Sequence, residues 1–389
     1  MNHTYVSQNK QSGRPAYLDC NATPPIEPEV RDAVTQWFAE ELGNAGSRTH
    51  EYGSRAKKAI QLARDQVAAV VEASPDEVVF TSGATESNNL AILGLLRYAE
   101  ETGRKHIVST ALEHKAVLEP LEELERLGFS ITLVKPGANG VITPESIAAA
   151  LQPDTLLVSV MQANNETGSR QPIEEIADIL AGHDAYFHVD AAQGYGKDLN
   201  PLKCRRIDLI SVSGHKIYGP PGIGALITRR RGFKRPPLKP LLFGGGQERN
   251  LRPGTLPTPL IIGLGVAAET AVRDHQLRGA RCEAMREEAL AALNPLGIRI
   301  HADPESTLPH VLNFSVPGVD SEAVMVALKD VAAVSNGSAC TSQSYKPSHV
   351  LDAMSLPPDA IAGAIRVSWS HMTPDVDWLL LASRIEALI

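Results

Sequence analysis

Lys216 stands in the octapeptide Ser213-Gly214-His215-Lys216-Ile217-Tyr218-Gly219-Pro220, beside a hydroxyl and an imidazole and just ahead of a glycine–proline break. An amine that must condense with a carbonyl has to lose its proton and be aimed, and a tight polar turn suits that task. A second stretch, Thr81-Ser82-Gly83-Ala84-Thr85-Glu86-Ser87-Asn88, is rich in glycine and hydroxyls and leads into a helical pattern. Free amide N–H groups and the helix dipole would meet a phosphate there. A third candidate is the carboxylate of Asp190, which closes the apolar run of residues 186–190. A fourth is the thiol of Cys340, near the middle of a long run of small polar residues, 335–347. Long loops without regular structure are uncommon in compact domains and are often functional. Each feature also has an ordinary reading. Loop lysines are commonly solvated, Ser/Thr turns serve as helix N-caps, and free cysteines are often small buried hydrophobes.

The elements that position these groups alternate. Residues 207–212 read as a short buried strand ending at the octapeptide, and Pro220, Pro221, Gly222 and Gly224 force a loop before the strand 225–228. Further strands are predicted over 77–80, 106–109, 130–134, 155–161 and 186–190. Helical spacing lies around and between them over 28–42, 54–72, 89–101, 113–127, 144–151 and 173–181. Such βαβ repetition implies an α/β fold with a mostly parallel sheet flanked by helices. Ligands in these sheets sit off the carboxyl ends of the strands. Asp190, Asn165, Lys216 and the 81–88 turn all fall at such ends. After a helix over 259–272, a helix over 276–293, strands over 312–316 and 364–368 and a helix over 321–329 make a smaller α+β unit. The expected division is a large domain over 16–272 and a small domain over 273–389 carrying the Cys340 loop, with a polar arm over 1–15.

Bulk properties narrow the class. A chain of 389 residues with 43% hydrophobic and 21% charged content is that of a globular protein of two domains. A formal net charge of −8 argues against direct nucleic-acid binding. The four cysteines, Cys20, Cys204, Cys282 and Cys340, lack the spacing of a disulfide framework or a zinc site, so no metal is expected. No secretory signal is read in the first residues, and the apolar run 256–272 is interrupted by Pro257, Pro259 and Glu269. The expectation is a cytoplasmic protein, kept reduced and away from membranes. The basic cluster over 229–235 reads as a solvated loop, with a dock for an acidic protein or tRNA as the sharper alternative.

A carbonyl-reactive lysine, a phosphate cradle and a strand-end carboxylate around one crevice jointly suit pyridoxal 5′-phosphate. The aldehyde meets Lys216, the phosphate meets the 83–85 turn, and Asp190 keeps the pyridine nitrogen protonated.

The sequence also resembles the NifS/IscS-like cysteine desulfurases of the class V aminotransferase superfamily, from Tyr17 to about Ile365. The stretches that carry the likeness are Thr81 to Asn89, Glu113-His114-Lys115-Ala116-Val117, Asn164-Asn165-Glu166-Thr167-Gly168, His188-Val189-Asp190-Ala191-Ala192-Gln193, the Lys216 octapeptide, Arg252-Pro253-Gly254-Thr255 and Gly337-Ser338-Ala339-Cys340-Thr341-Ser342. The resemblance implies pyridoxal-phosphate fold type I and conversion of L-cysteine to L-alanine, with a persulfide formed on Cys340 and passed to an acceptor protein. It further implies that Lys216 carries the cofactor, that His114 stacks on its ring and assists proton transfers, and that Asp190 pairs with the ring nitrogen. Asn165 and Gln193 would flank the ring substituents, and Ala84, Thr85, Ser213 and His215 would bind phosphate. Thr255 would reach the phosphate of a neighbouring subunit, which implies a homodimer. Arg366 would clamp the substrate carboxylate, with Asn165 also near the substrate.

Pro24 stands where the family usually has threonine, and Pro253 where serine is common. The long Cys340 loop places the chain with the NifS/IscS group. Housekeeping IscS-like members carry a tail beyond the last helix, so the expectation at Ile389 is a dedicated acceptor, such as DNA-phosphorothioation or tRNA-thiolation machinery, ahead of general iron–sulfur assembly. The alternative activity is a selenocysteine lyase or another pyridoxal-phosphate-dependent lyase or aminotransferase.

Overall fold

The structure is a computed structural model and describes residues 14–336 and 347–389. Cys340, its loop and residues 1–13 of the N-terminal arm therefore lie outside the described residues. The chain forms two compact units: one contains residues 25–165 and 169–275, the other residues up to 24, 166–168 and 276–389. Residues 16–24, expected in the larger domain, belong to the smaller unit. Ala16–Tyr17 (β1) pairs in parallel with Ala332–Ala333 (β11), and the Leu18 side chain is fully buried in that unit's core.

The larger unit is built on a seven-stranded sheet. Its strands are Val78–Thr81 (β2), His106–Thr110 (β3), Ser130–Val134 (β4), Thr155–Met161 (β5), Tyr186–Asp190 (β6), Leu209–Ser213 (β7) and Gly224–Thr228 (β8). Their order is β2-β8-β7-β6-β5-β3-β4. β8 is antiparallel to both β2 and β7, while the remaining pairs are parallel. The strands β2, β5, β7 and β8 are buried at every position, as expected for a sheet covered by helices. Val79, Leu90, Ile107, Leu121, Leu156 and Leu226 form one packed cluster between sheet and helices, and each such side chain contributes about 1.5–3 kcal/mol on burial.

One predicted helix is in fact two. The helix predicted over 89–101 begins five residues earlier, as Ala84–Leu93, and a second helix follows at Leu96–Thr102. The break lies at Gly94, whose carbonyl accepts from the Lys239 amide at 2.9 Å and leaves the helical ladder. The earlier start takes Thr85, Glu86, Ser87 and Asn88 out of the turn and into the first turns of the helix.

The smaller unit holds a three-stranded antiparallel sheet, Ile365–Ser368 (β12), Val311–Ser315 (β10) and Arg299–Ile300 (β9), in that order. Helices His275–Leu293 and Trp378–Glu386 supply Met285, Trp378, Leu381 and Ile385 to its core, and Trp369 meets Trp378 edge-on at 5.9 Å between ring centres. Among the described residues no helix is long and apolar enough to cross a membrane.

The loop of the basic cluster is exposed over 230–234, as expected, but its arginines are engaged in pairs. Arg229 is buried and donates to the carbonyls of Val71, Leu202 and Cys204. Arg231 pairs with Asp208 at 2.6 Å, and Arg230 and Arg235 pair with Asp76. The arginines tie the far ends of β6, β7 and β8 to neighbouring segments.

Candidate active site

Because β8 alone runs backwards, β2, β3, β5, β6 and β7 all end on one edge of the sheet, and β8 begins there at Gly224. Gly224 pairs with both Thr81 and Ser213. A Cβ on it would lie 2.3 Å from the Val212 carbonyl oxygen and 2.6 Å from Cα of Gly83, so only glycine lets the strands meet here. Gly83 has φ 153° and ψ −177°, a conformation essentially restricted to glycine. It ends β2 and starts the helix Ala84–Leu93, whose first amide N–H groups have no intrahelical acceptor. Among the described residues, nothing beyond its chain neighbours lies within 4 Å of the position a Cβ would take on Gly83, so the turn has room at its mouth. Ala84 is half-buried and Thr85 exposed.

Asp190 ends β6 and is buried. Its Oδ2 accepts from Nδ2 of Asn88 at 2.7 Å and its Oδ1 from the Ala192 amide at 2.9 Å. Below it on the same strand His188 lies between hydroxyls, Nδ1 2.8 Å from Ser159 Oγ and Nε2 2.9 Å from Ser211 Oγ. Burial drives the His188 pKa down to about 3, so the ring is neutral.

Lys216 sits in a single 3-10 turn, Gly214–Ile217, at the end of β7, and Tyr218 with φ 66° stops the turn. The lysine is half-buried. Ser213 Oγ lies 2.9 Å from Nδ1 of His215. Burial, with the charges of Lys216 and Lys197, pushes the His215 pKa down to about 4. At neutral pH that ring therefore offers one N–H donor and one acceptor.

His114 follows β3 and caps the helix Lys115–Arg126, its Nδ1 accepting from the Ala116 amide at 3.1 Å. In the neutral ring the proton is then on Nε2. Its neighbour Glu113 fastens this corner to the sheet: Oε1 accepts from Thr110 Oγ1 at 2.7 Å and from the Met161 amide at 2.8 Å. Burial, with a lesser push from Asp190, raises the Glu113 pKa to about 8. Asn165 lies just beyond β5, half-buried, and Gln193 lies buried just beyond β6.

The edge thus collects Ala84, Thr85, His114, Asn165, Asp190, Gln193, Ser213, His215 and Lys216 in one unit. Thr255 is exposed on a segment of the same unit, lining a cavity of about 260 Å³ with Lys57, Arg64 and Gln247. Arg366 belongs to the smaller unit, on β12, where its Nη2 donates to Asp19 at 2.6 Å and its backbone exchanges hydrogen bonds with Ser335. Asn88, Glu113 and the pair Glu86–Arg252 were not singled out from the sequence, although each lies inside a quoted motif. Among the described residues no cluster of three or more His, Cys, Asp or Glu side chains could hold a metal ion.

Pyridoxal phosphate fits this donor set. A strand-end carboxylate fixed by two hydrogen bonds suits a pyridinium N–H, an open glycine turn at a helix start suits a phosphate, and a lysine lies one strand away.

These features define a pyridoxal-phosphate enzyme of fold type I, and the chain belongs to the class-V aminotransferase family, whose model matches residues 16–377. Among individual proteins it is 44% identical over 367 residues to a cysteine desulfurase of Rattus norvegicus, covering 93% of this chain and 80% of the relative. It is likewise 44% identical over 369 residues to the cysteine desulfurase IscS of Methylococcus capsulatus, covering 94% and 91%. Among solved structures, DndA from Streptomyces lividans superposes with a TM-score of 0.80 at 49% identity, covering 91% of this chain and 99% of that one. A NifS-like protein superposes with a TM-score of 0.88 at 34% identity, covering 96% and 100%.

Proposed function

We propose that this protein is a pyridoxal-phosphate-dependent cysteine desulfurase that converts L-cysteine to L-alanine and passes the sulfur to an acceptor protein through Cys340. The observation that carries the reading is the shared sheet edge, where Lys216, Asp190 and the 83–85 turn meet in a chain 44% identical to proteins named cysteine desulfurase. Ala84, Thr85, Ser213 and His215 hold the phosphate, His215 as a neutral donor. Asp190, aimed by Asn88 and the Ala192 amide, keeps a proton on the ring nitrogen. Gln193 and Asn165 flank the ring, and Lys216 holds the aldehyde carbon. When bound, the cofactor supplies an electron sink for the pair left at the substrate Cα. His114, with Nδ1 engaged by its own helix, offers Nε2 for moving protons. Arg366, a planar bidentate donor, takes the substrate carboxylate.

The sulfur step is balanced by one thiol. The Cys340 sulfur bonds to the sulfur of L-cysteine as the substrate C–S bond breaks. The electron pair of that bond stays on carbon, which is protonated to give L-alanine, and Cys340 is left as a persulfide.

Thr255, exposed on its segment, completes the phosphate site of a second copy, so the working form is a homodimer. Cys20, Cys204 and Cys282, as reduced thiols, suit a reducing cytoplasm. The acceptor belongs to DNA phosphorothioation, tRNA thiolation or iron–sulfur assembly, and co-purification with mass spectrometry of the persulfidated partner identifies it. A selenocysteine lyase or another pyridoxal-phosphate-dependent lyase or aminotransferase is the less favoured reading, because the relatives named above are cysteine desulfurases.

Borohydride reduction followed by peptide mapping tests the centre of this reading. The expected tag is on Lys216. A tag on another lysine, or a protein that takes up no cofactor, overturns it.

A further inference from the structure

Glu86 occupies the first turn of the helix Ala84–Leu93, within one helical turn of the amides that receive the phosphate. A carboxylate there favours the helix itself, since it faces the positive end of the dipole. Its Oε2 also accepts from the Ser82 amide at 2.6 Å and so fixes the shape of the turn. It carries a cost. A negative charge closer than the screening length of about 8–10 Å opposes an arriving phosphate dianion. Burial would raise the Glu86 pKa, but hydrogen bonds from Arg252 and Ser82 hold it below the usual range, so the group is ionised at neutral pH.

Arg252 answers that charge. Its Nε donates to Oε1 of Glu86 at 2.9 Å and its Nη2 lies 3.4 Å from Oε2. The arginine is brought there by a segment clamped to β2, the strand that leads into the turn. Glu248 accepts from the Phe80 amide at 2.8 Å and from both terminal nitrogens of Arg64 at 2.6 and 2.9 Å. Arg64 in turn donates to the Val78 carbonyl at 2.6 Å and lies over the Phe80 ring. Glu248, Arg249 and Asn250 all take positive φ, at 45°, 57° and 66°. Left-handed backbone is unfavourable for such residues and persists only where surrounding contacts hold it. The Gly254 amide, next to Thr255, donates to Gln247 Oε1 at 2.8 Å. One strained segment therefore presents both Arg252 and Thr255.

We infer that Arg252 is a positioning residue for the phosphate turn: by pairing with Glu86 it cancels a negative charge at the mouth of that turn and so sets how tightly phosphate is held. This rests on the reading of residues 83–85 as a phosphate site. It assigns Arg252 no contact with the phosphate itself.

The test is equilibrium binding of pyridoxal phosphate and, separately, of inorganic phosphate to the full-length apoprotein. Both ligands are measured for wild type, R252Q, R252K, E86Q and the double variant E86Q/R252Q, with urea midpoints recorded for each. R252Q is expected to weaken both ligands at least tenfold, and R252K to fall between wild type and R252Q. E86Q should bind within threefold of wild type or more tightly, and the double variant should return to within threefold of E86Q. R252Q binding within threefold of wild type overturns the inference. So does a double variant as weak as R252Q, which would mean that Arg252 touches phosphate directly or only supports the fold. Wild type that binds inorganic phosphate but not pyridoxal phosphate overturns the cofactor reading, and the phosphate data still decide the role of Arg252. Wild type that binds neither overturns both.

Discussion

Nδ2 of Asn88 lies 2.7 Å from Oδ2 of Asp190, across 102 positions of sequence. The helix that begins at the proposed phosphate turn thereby also aims the carboxylate proposed for the ring nitrogen. Hydrogen bonds to a charged group contribute about 1.5–3 kcal/mol. N88A should therefore weaken cofactor binding by roughly ten- to a hundredfold, and D190A should weaken it further. Spectral titration of the apoprotein with pyridoxal phosphate measures both. An N88A protein that binds as wild type does would separate Asn88 from the role given to Asp190.

His188 predicts an acid limb of stability. Its pKa falls from 6.5 to about 3 on folding. The stability tied to its neutral form is thus fully present above pH 6.5 and is lost as pH falls toward 3. H188Q, which keeps hydrogen-bonding capacity and cannot titrate, should flatten this part of the profile. Urea unfolding at pH 4, 5, 6 and 7 reads the slope, and an unchanged slope refutes the assignment.

Glu113 predicts the opposite sign. Its pKa rises from the ordinary 4.5 to about 8, so the folded state holds a proton that the unfolded chain has released. Its stabilising share is fully present below pH 4.5 and is lost as pH climbs to about 8. E113Q should keep both accepted hydrogen bonds and gain stability relative to wild type above neutral pH. E113A loses the fastening of the His114 corner and should lower kcat more than cofactor affinity. Paired pH–stability and pH–rate profiles separate these outcomes.

Cys340 divides the chemistry. C340A should retain the bound-cofactor spectrum and cofactor affinity while losing sulfide release from L-cysteine in the presence of a thiol reductant, by a factor of a hundred or more (~3 kcal/mol). Alanine and sulfide assays beside absorbance spectra check it. Undiminished turnover removes the thiol from the reaction and returns the protein to the lyase alternative.

Ser348 and Glu166 give a prediction confined to the smaller unit. Ser348 Oγ donates to the buried Glu166 carboxyl at 2.5 Å and accepts from the Leu351 amide at 3.1 Å, capping the helix His349–Ala353. S348A removes the cap and one partner of a buried acid, each worth about 1–2 kcal/mol. Denaturant unfolding should show a combined loss of about 2–4 kcal/mol, and S348T should restore part of it.

Much of the sheet could be read from the chain because its strands are short apolar runs bounded by glycine, proline and polar turns. β4, β5 and β6 match their predicted spans, and the functional groups lie at strand ends, where parallel topology alone places them. What remained hidden depends on residues distant in sequence. Nothing local announces that β8 runs backwards, that Asn88 reaches Asp190, or that Arg252 reaches Glu86. The helix start at Ala84 was missed because Thr, Ser and Asn read as turn formers, although they are also common in the first turn of a helix. Ala16–Tyr17 was assigned to the wrong unit because a two-residue strand has no periodicity to read, and its partner lies more than three hundred residues away.

The paired arginines between 229 and 235 carry a practical warning for anyone mapping where an acceptor protein lands. Charge-reversal scanning, a common way to find such a footprint, would register severe effects at Arg229, Arg231 and Arg235. There the scan would be severing ties that join strand ends to the body of the larger unit. A weakened complex in those variants counts toward a footprint only when their unfolding midpoints match wild type.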